Sequence, residues 1–188
     1  MDAYLQGKGA VTRQRGNNMN ICVRYMQESD IAVLAEEFSV NQGWQDKNAE
    51  HFTKYFAEHI SGERHVLVAE QNGSVAGYVT LLPNDTAGSF ANKNIPTVCD
   101  FNVLIKFRGQ GVGTALMDAA ENLAKETSDT ICLGVGLYTD YGTAQRMYAK
   151  RGYIPDGSGV WYQNKNLPPY QQCCNDDDLI LYMSKSLR

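Results

Sequence analysis

A mixed α/β fold in a single domain is what the sequence predicts, on three observations. Residues 21–26 alternate apolar and polar side chains, the pattern of a half-buried strand. Two apolar runs, 66–69 and 75–82, meet at Gln71-Asn72-Gly73, and Asn-Gly between such runs signals a hairpin. An extended apolar stretch, 101–107, then enters Arg108-Gly109-Gln110-Gly111-Val112-Gly113, after which an amphipathic helix opens near Thr114. Early hairpins followed by strand–turn–helix units read as one mixed sheet with helices packed against it.

The elements come in this order. After the strand at 21–26, Ser29 or Asp30 can cap a helix whose apolar positions are Ile31, Leu34, Ala35 and Phe38. Residues 41–44 break it. A second helix, about 46–60, carries Phe52, Tyr55, Phe56 and Ile60 at helical spacing. Behind the hairpin, residues 83–95 are polar and glycine-containing, a loop long enough to be functional or mobile. A strand over 97–105 leads into the glycine turn. The helix beyond it sets Leu116, Met117, Ala120, Leu123 and Ala124 against Asp118, Glu121, Asn122 and Lys125. Ile131, Leu133, Val135 and Leu137 alternate with Cys132, Gly134 and Gly136 as a strand does. A helix over 143–151 stops at Gly152-Tyr153, the pattern of a Schellman motif. Strands at 160–163 and 179–183 close the set around a polar loop. That makes six to seven strands and about four helices, with no repeat and no second domain.

Composition narrows the partners. At 188 residues, with 43% hydrophobic and 20% charged residues, the chain is an ordinary globular one. A net charge of −4 and scattered Lys and Arg give no field for nucleic acid. No apolar run nears the roughly 20 residues that cross a bilayer, so no membrane partner is expected. Five cysteines, Cys22, Cys99, Cys132, Cys173 and Cys174, lack paired spacing, which reads as reduced thiols in a cytoplasmic protein. His51, His59 and His65 form no metal-ligand pattern, and no metal is expected. Residues 1–18 read as a flexible arm and 19–188 as the folded domain, with Met19 an alternative start.

The glycine turn carries the chemistry. Three glycines in five residues bare backbone N–H groups, and the helix beyond adds about half a positive charge at its N-terminus. Together they seat a phosphate or pyrophosphate. A dinucleotide fingerprint fails, because its third glycine would fall on Thr114 or Leu116. A nucleotide-triphosphate loop fails too, since Gly113-Thr114-Ala115 holds no lysine.

This stretch resembles the GNAT superfamily of acetyl-coenzyme A-dependent N-acetyltransferases, whose signature is Arg/Gln-x-x-Gly-x-Gly/Ala. Val103 stands five residues before Arg108, where the family commonly has valine. Downstream, Ala144 to Tyr153 resembles the family's Ala-x-x-Leu-Tyr-x-x-x-Gly-Phe segment. The resemblance implies a mostly antiparallel sheet with a V-shaped splay between its central strands. It implies acetyl-coenzyme A as co-substrate, its pyrophosphate on the amides of Gly109, Gln110, Gly111, Val112, Gly113 and Thr114, with Arg108 also among the coenzyme-binding residues. Pantetheine would lie along Phe101, Asn102 and Val103, with the Val103 amide polarising the acetyl carbonyl. Glycine weakens a strand interior unless a backbone must come close, so Gly134 and Gly136 fit that insertion, or tight packing instead.

Tyr148 resembles the family's general acid. A general base is harder to place: Gly136 stands where some members carry Glu, and Tyr141 where many carry an Asn that contacts the coenzyme. Asp100 is the first choice of base and Asp140 the second. Cys99 and Cys132 flank the proposed site, but no His partner supports a covalent route. Two functions remain open: acetyl transfer to a primary amine, on a small molecule or peptide, by direct attack in a ternary complex, or a non-catalytic acyl-coenzyme A sensor. Homodimers are frequent in the superfamily.

Overall fold

The computed structural model describes residues 12–16 and 19–188, with side chains described from Asn20 onward. The expected arm over 1–18 therefore lies, apart from residues 12–16, outside the described residues. The described residues divide into two compact units: those up to 81 with 100–123, and residues 82–99 with 124–188.

In the first unit, β1 (Thr12–Gly16), β2 (Met19–Tyr25), β3 (His65–Gln71) and β4 (Ser74–Leu82) lie side by side in that order, each antiparallel to the next. Asn72 and Gly73 both take positive φ at the hairpin tip, as the Asn-Gly signal requires. β5 (Thr97–Val103) lies next to β4, and its second half belongs to this unit. Gly77 shows why the two strands can meet: a Cβ there would sit 2.4 Å from the Asn102 carbonyl oxygen. The strand expected to reach Ile105 stops at Val103, because Ile105–Phe107 coils into a 3-10 turn.

Helix α1 (Asp30–Ala35) continues into a π-helical turn, Glu36–Asn41, where the Gln42 amide reaches back five residues to the Glu37 carbonyl. Asp30 does not act as a simple cap. Its carboxylate accepts from the Gln27 amide at 2.7 Å and pairs with Arg24, itself bonded to Glu70. Asn48 caps α2 (Ala49–Ser61) by accepting from the His51 amide, and Gly62 in the left-handed region ends it. Leu34, Phe38, Phe52, Val66, Val68, Tyr78 and Leu104 are fully buried together. Phe38 and Phe52 each meet the Tyr78 ring edge-on, at 5.2 and 5.3 Å. Helix α3 (Val112–Lys125) buries Leu116, Met117 and Ala120 as the periodicity predicts, but starts two residues earlier than expected.

In the second unit the strand order is β5, β6 (Thr130–Gly136), β9 (Leu179–Ser186), β7 (Ile154–Tyr162), β8 (Lys165–Asn166). The β5–β6 pairing is parallel and limited to Thr97 and Val98 opposite Cys132 and Leu133; the other pairings are antiparallel. Residues 83–96 form the expected loop, tied by Asp85 to the Ala87 amide and by Asn84 to the Asn94 amide. Among the described residues there are nine strands, eight of them longer than two residues, rather than six to seven. The surplus is β1 and the two-residue β8, neither of which has an apolar run to announce it.

Buried His59 makes stability depend on pH. Its ring stacks on Tyr25 at 5.3 Å and its Nδ1 lies 3.4 Å from the Val66 amide. Burial, the larger effect, lowers its pKa from the usual 6.5; a hydrogen bond to the Arg64 backbone carbonyl opposes it, and the charge of His65 lowers it further. Its neutral form is the one the fold prefers, so stability is lost as pH falls below the unfolded value of about 6.5 toward the lower folded one. His59→Gln is expected to flatten that fall, measured by urea unfolding at pH 7.5 and pH 5; an unchanged slope would assign the pH dependence elsewhere.

Candidate functional site

The glycine loop is held open by side chains of its own unit. Gly109 and Gly111 take φ of 73° and 91°, a region that side chains with a Cβ avoid. Arg108 does not point away: its Nε donates to the Val103 carbonyl at 3.1 Å. Gln110 bridges, donating to the Lys106 carbonyl at 2.8 Å and accepting from Gln71 at 2.9 Å. Before the loop, the Ile105 amide donates to Gln42 at 2.7 Å and Lys106 pairs with Glu37 at 2.7 Å. Val112 is buried and pins the helix start.

The consequence is a run of unspent donors. Among the described residues, no hydrogen bond within the protein engages the amides of Gly109, Gln110, Gly111, Val112, Gly113 or Thr114; the first to turn inward is Ala115, onto the Gly111 carbonyl. Helix starts always leave about four amides unpaired. Here the turn adds the amides before the helix. Gly109, Gly111 and Thr114 are exposed, and a Cβ at Gly109 would meet nothing within 4 Å. An anion carried by a phosphate or pyrophosphate fits these donors.

Asp100 lies on β5 of the same unit and is far more engaged than its sequence position suggests. Its Oδ2 accepts from Lys47 Nζ at 2.5 Å, from the Tyr78 hydroxyl at 2.8 Å and from the Tyr55 hydroxyl at 3.0 Å. His51 Nε2 approaches at 3.4 Å, a loose contact that meets no stricter hydrogen-bond geometry. Asn102 Nδ2 donates to Oδ1 at 2.6 Å. Burial would raise this carboxyl, but His51, Lys47 and Tyr78 outweigh burial and hold it well below the usual carboxylate range. The sequence by itself marks none of Lys47, His51, Tyr55 or Tyr78 as a partner of Asp100. His51 and Tyr55, four apart on α2, carry the one available signal, a shared helical face.

Tyr141 and Tyr148 belong to the second unit. Helix α4 (Gly142–Lys150) ends in the Schellman motif that Gly152 predicts: the Gly152 amide donates to Ala149 and the Tyr153 amide to Tyr148. The Tyr148 and Tyr153 rings lie 5.7 Å apart, the apolar contact of that motif. Tyr148 is 6% exposed, its hydroxyl makes no hydrogen bond among the described residues, and burial alone raises its pKa. It therefore stays protonated, with an unspent O–H.

Tyr141 precedes α4, and its ring covers Gly136, where a Cβ would come within 2.4 Å of it. Its hydroxyl donates to Asp177 at 2.9 Å, as Tyr138 does at 2.6 Å. Gly134 likewise meets Ile180 and Tyr182 of β9. Both glycines thus admit close packing by neighbouring side chains. Asp140 is exposed, and the Cys132 thiol is pushed up to about 11, mainly by burial.

Comparison with known proteins agrees with this geometry. The family model for the acetyltransferase (GNAT) family matches residues 30–153. The chain belongs to the GNAT family. An acetyltransferase of that family from Staphylococcus aureus Mu50 is similar in fold, at 17% identity and a TM-score of 0.59, over 89% of this chain and 99% of that one. A structure from Salmonella typhimurium containing acetyl-CoA gives 18% identity and a TM-score of 0.60, over 89% and 94%. Nourseothricin acetyltransferase gives 27% identity and a TM-score of 0.51, over 68% of each chain. No curated protein matches. Membership in the GNAT family supports acetyl transfer in general. No helix among the described residues is long and apolar enough to cross a membrane.

Gly136→Ala should drive the Tyr141 ring from its seat and cost about 1–3 kcal/mol, the scale of overpacking in a tight site. Urea denaturation measures it, and unchanged stability would mean that Tyr141 relocates without loss.

Proposed function

We propose that this GNAT protein moves acetyl from acetyl-coenzyme A to a primary amine by direct attack in a ternary complex. The observation that carries the reading is the run of unpaired amides from Gly109 to Thr114. Those amides, with Arg108 bracing the turn, hold the pyrophosphate. Phe101, Asn102 and Val103 offer strand backbone to the pantetheine, and the Val103 amide polarises the thioester carbonyl. Bound coenzyme supplies the activated acetyl group.

The acceptor must be neutral to attack. An alkylamine of pKa about 10.4 costs roughly 4 to 5 kcal/mol to deprotonate at pH 7. Asp100, held so far below the ordinary carboxyl range, is a poor proton acceptor for such an amine, and its role in the reaction is electrostatic. Tyr148 donates its hydroxyl proton to the departing thiolate; as a buried neutral phenol with no competing partner, it is in the required state at neutral pH. Tyr141, fixed between Gly136 and Asp177, takes the place of the Asn that contacts coenzyme in many relatives.

Two variants test separate parts. Tyr148→Phe should lower turnover by about 10²–10⁴, the usual yield of a positioned acid, while coenzyme A affinity stays near that of the parent. An unaltered rate removes Tyr148 as the acid. Gly111→Asp sets a carboxylate against the pyrophosphate at a backbone angle that glycine favours. Calorimetry should then show coenzyme A binding lost from a folded protein, and retained affinity removes the loop from the site. Tight coenzyme binding without turnover on any amine would instead favour the sensor.

A further inference from the structure

The chain already holds an ammonium group against Asp100, and it is its own. Lys47 Nζ lies 2.5 Å from Oδ2, with Lys47 and Asp100 side chains only 14% and 15% exposed. Tyr55 and Tyr78 hydroxyls converge on the same oxygen, and Asn102 takes the other. Three neutral donors therefore remain on the carboxylate without Lys47, which adds both a hydrogen bond and the compensating charge. Lys47 also comes from outside the helices: it lies between Asn41, the end of the π-helical turn, and Ala49, the start of α2. Its amide bonds to Trp44, but among the described residues its side chain is tethered only through the ammonium. Withdrawing that side chain would leave a carboxylate with two phenol hydroxyls, an imidazole edge and room for a four-carbon chain.

We infer that this seat takes the non-reacting ammonium of an aliphatic diamine acceptor, and that Lys47 occupies it as an internal placeholder which the acceptor displaces. The assignment of the ligand as acceptor rests on the acetyl-transfer reading; the ammonium seat does not. Position along the strand separates the seat from the reacting nitrogen. Asp100 stands three residues before Val103, roughly 10 Å along a strand at 3.3–3.4 Å per residue. An extended acceptor spans that interval, with one ammonium at Asp100 and its free amine toward the Val103 amide. Asp100 remains ionised at any working pH, as an anchor for a cation must. Exchange of one ammonium for another also keeps the buried carboxylate paired, avoiding the heavy cost of a lone buried charge.

The test uses the full chain and a variant that empties the seat. Lys47→Ala should lower the melting temperature, and n-butylamine, the missing side chain as a free molecule, should restore it in that variant but not in the parent. n-Butanol, the neutral counterpart, should not restore it, and the double variant Lys47→Ala with Asp100→Asn should lose the rescue. Absence of selective rescue overturns the seat.

A second arm measures acetyl transfer to cadaverine and to 5-amino-1-pentanol, which replaces the distal ammonium by a hydroxyl. The parent should favour cadaverine by at least about tenfold in kcat/KM, a modest share of what a buried charge pair can supply. Asp100→Asn should erase the preference, and Lys47→Ala should lower the KM for cadaverine. Rescue without that preference overturns the acceptor assignment. Turnover of neither amine counts against both the acceptor and the transferase reading, while the melting experiment still decides the seat.

Discussion

A row of main-chain amides that the protein declines to use is the constraint around which the first unit is arranged. Six consecutive N–H groups, from Gly109 to Thr114, find no internal partner among the described residues. Exposure lets water meet those N–H groups until an anion replaces it, so leaving them unpaired within the protein is tolerable. Several elements hold the loop in that state. β5 fixes Arg108 through the Val103 carbonyl, β3 fixes Gln110 through Gln71, and Gln42 and Glu37 hold the turn before the loop. Gly77 on β4 completes the arrangement by letting β5 approach, and the Leu104 amide locks onto Ala76 at 3.0 Å.

The second unit applies similar economy to two tyrosines. Tyr148 is shaped by the chain reversal at the end of its helix. The left-handed Gly152 turns the backbone so that the Tyr153 amide caps the Tyr148 carbonyl, fixing the end of α4 while the phenol stays unbonded. Tyr141 is shaped by the residue beneath its ring, a glycine where any Cβ would collide with it. One tyrosine keeps its hydrogen bond available; the other gives its hydroxyl to Asp177.

Much of this was legible in the chain. Glycine spacing, helical periodicity and the Asn-Gly turn are local signals, and the loop, the hairpin and the Schellman stop appear where they point. Short strands were less visible: β8 has two residues, and β7 carries a register shift between Pro155 and Val160, so only its last part reads as a strand. The Asp100 cluster was hidden for a different reason. Tyr78, Tyr55 and Lys47 lie 22 to 53 residues away in sequence, and only folding brings β4, α2 and the segment before α2 to one carboxylate. Gly134 and Gly136 were ambiguous for a related reason, because a missing side chain records that something is close without recording its identity.

The central claim is that those six amides receive the diphosphate of coenzyme A. Amide-resolved NMR during titration with coenzyme A tests it most directly. The account predicts the largest shifts, saturating together, at Gly109, Gly111, Gly113 and Thr114, with little change in the amides of β2 and β3. Saturable binding that leaves the 109–114 amides unmoved would contradict it.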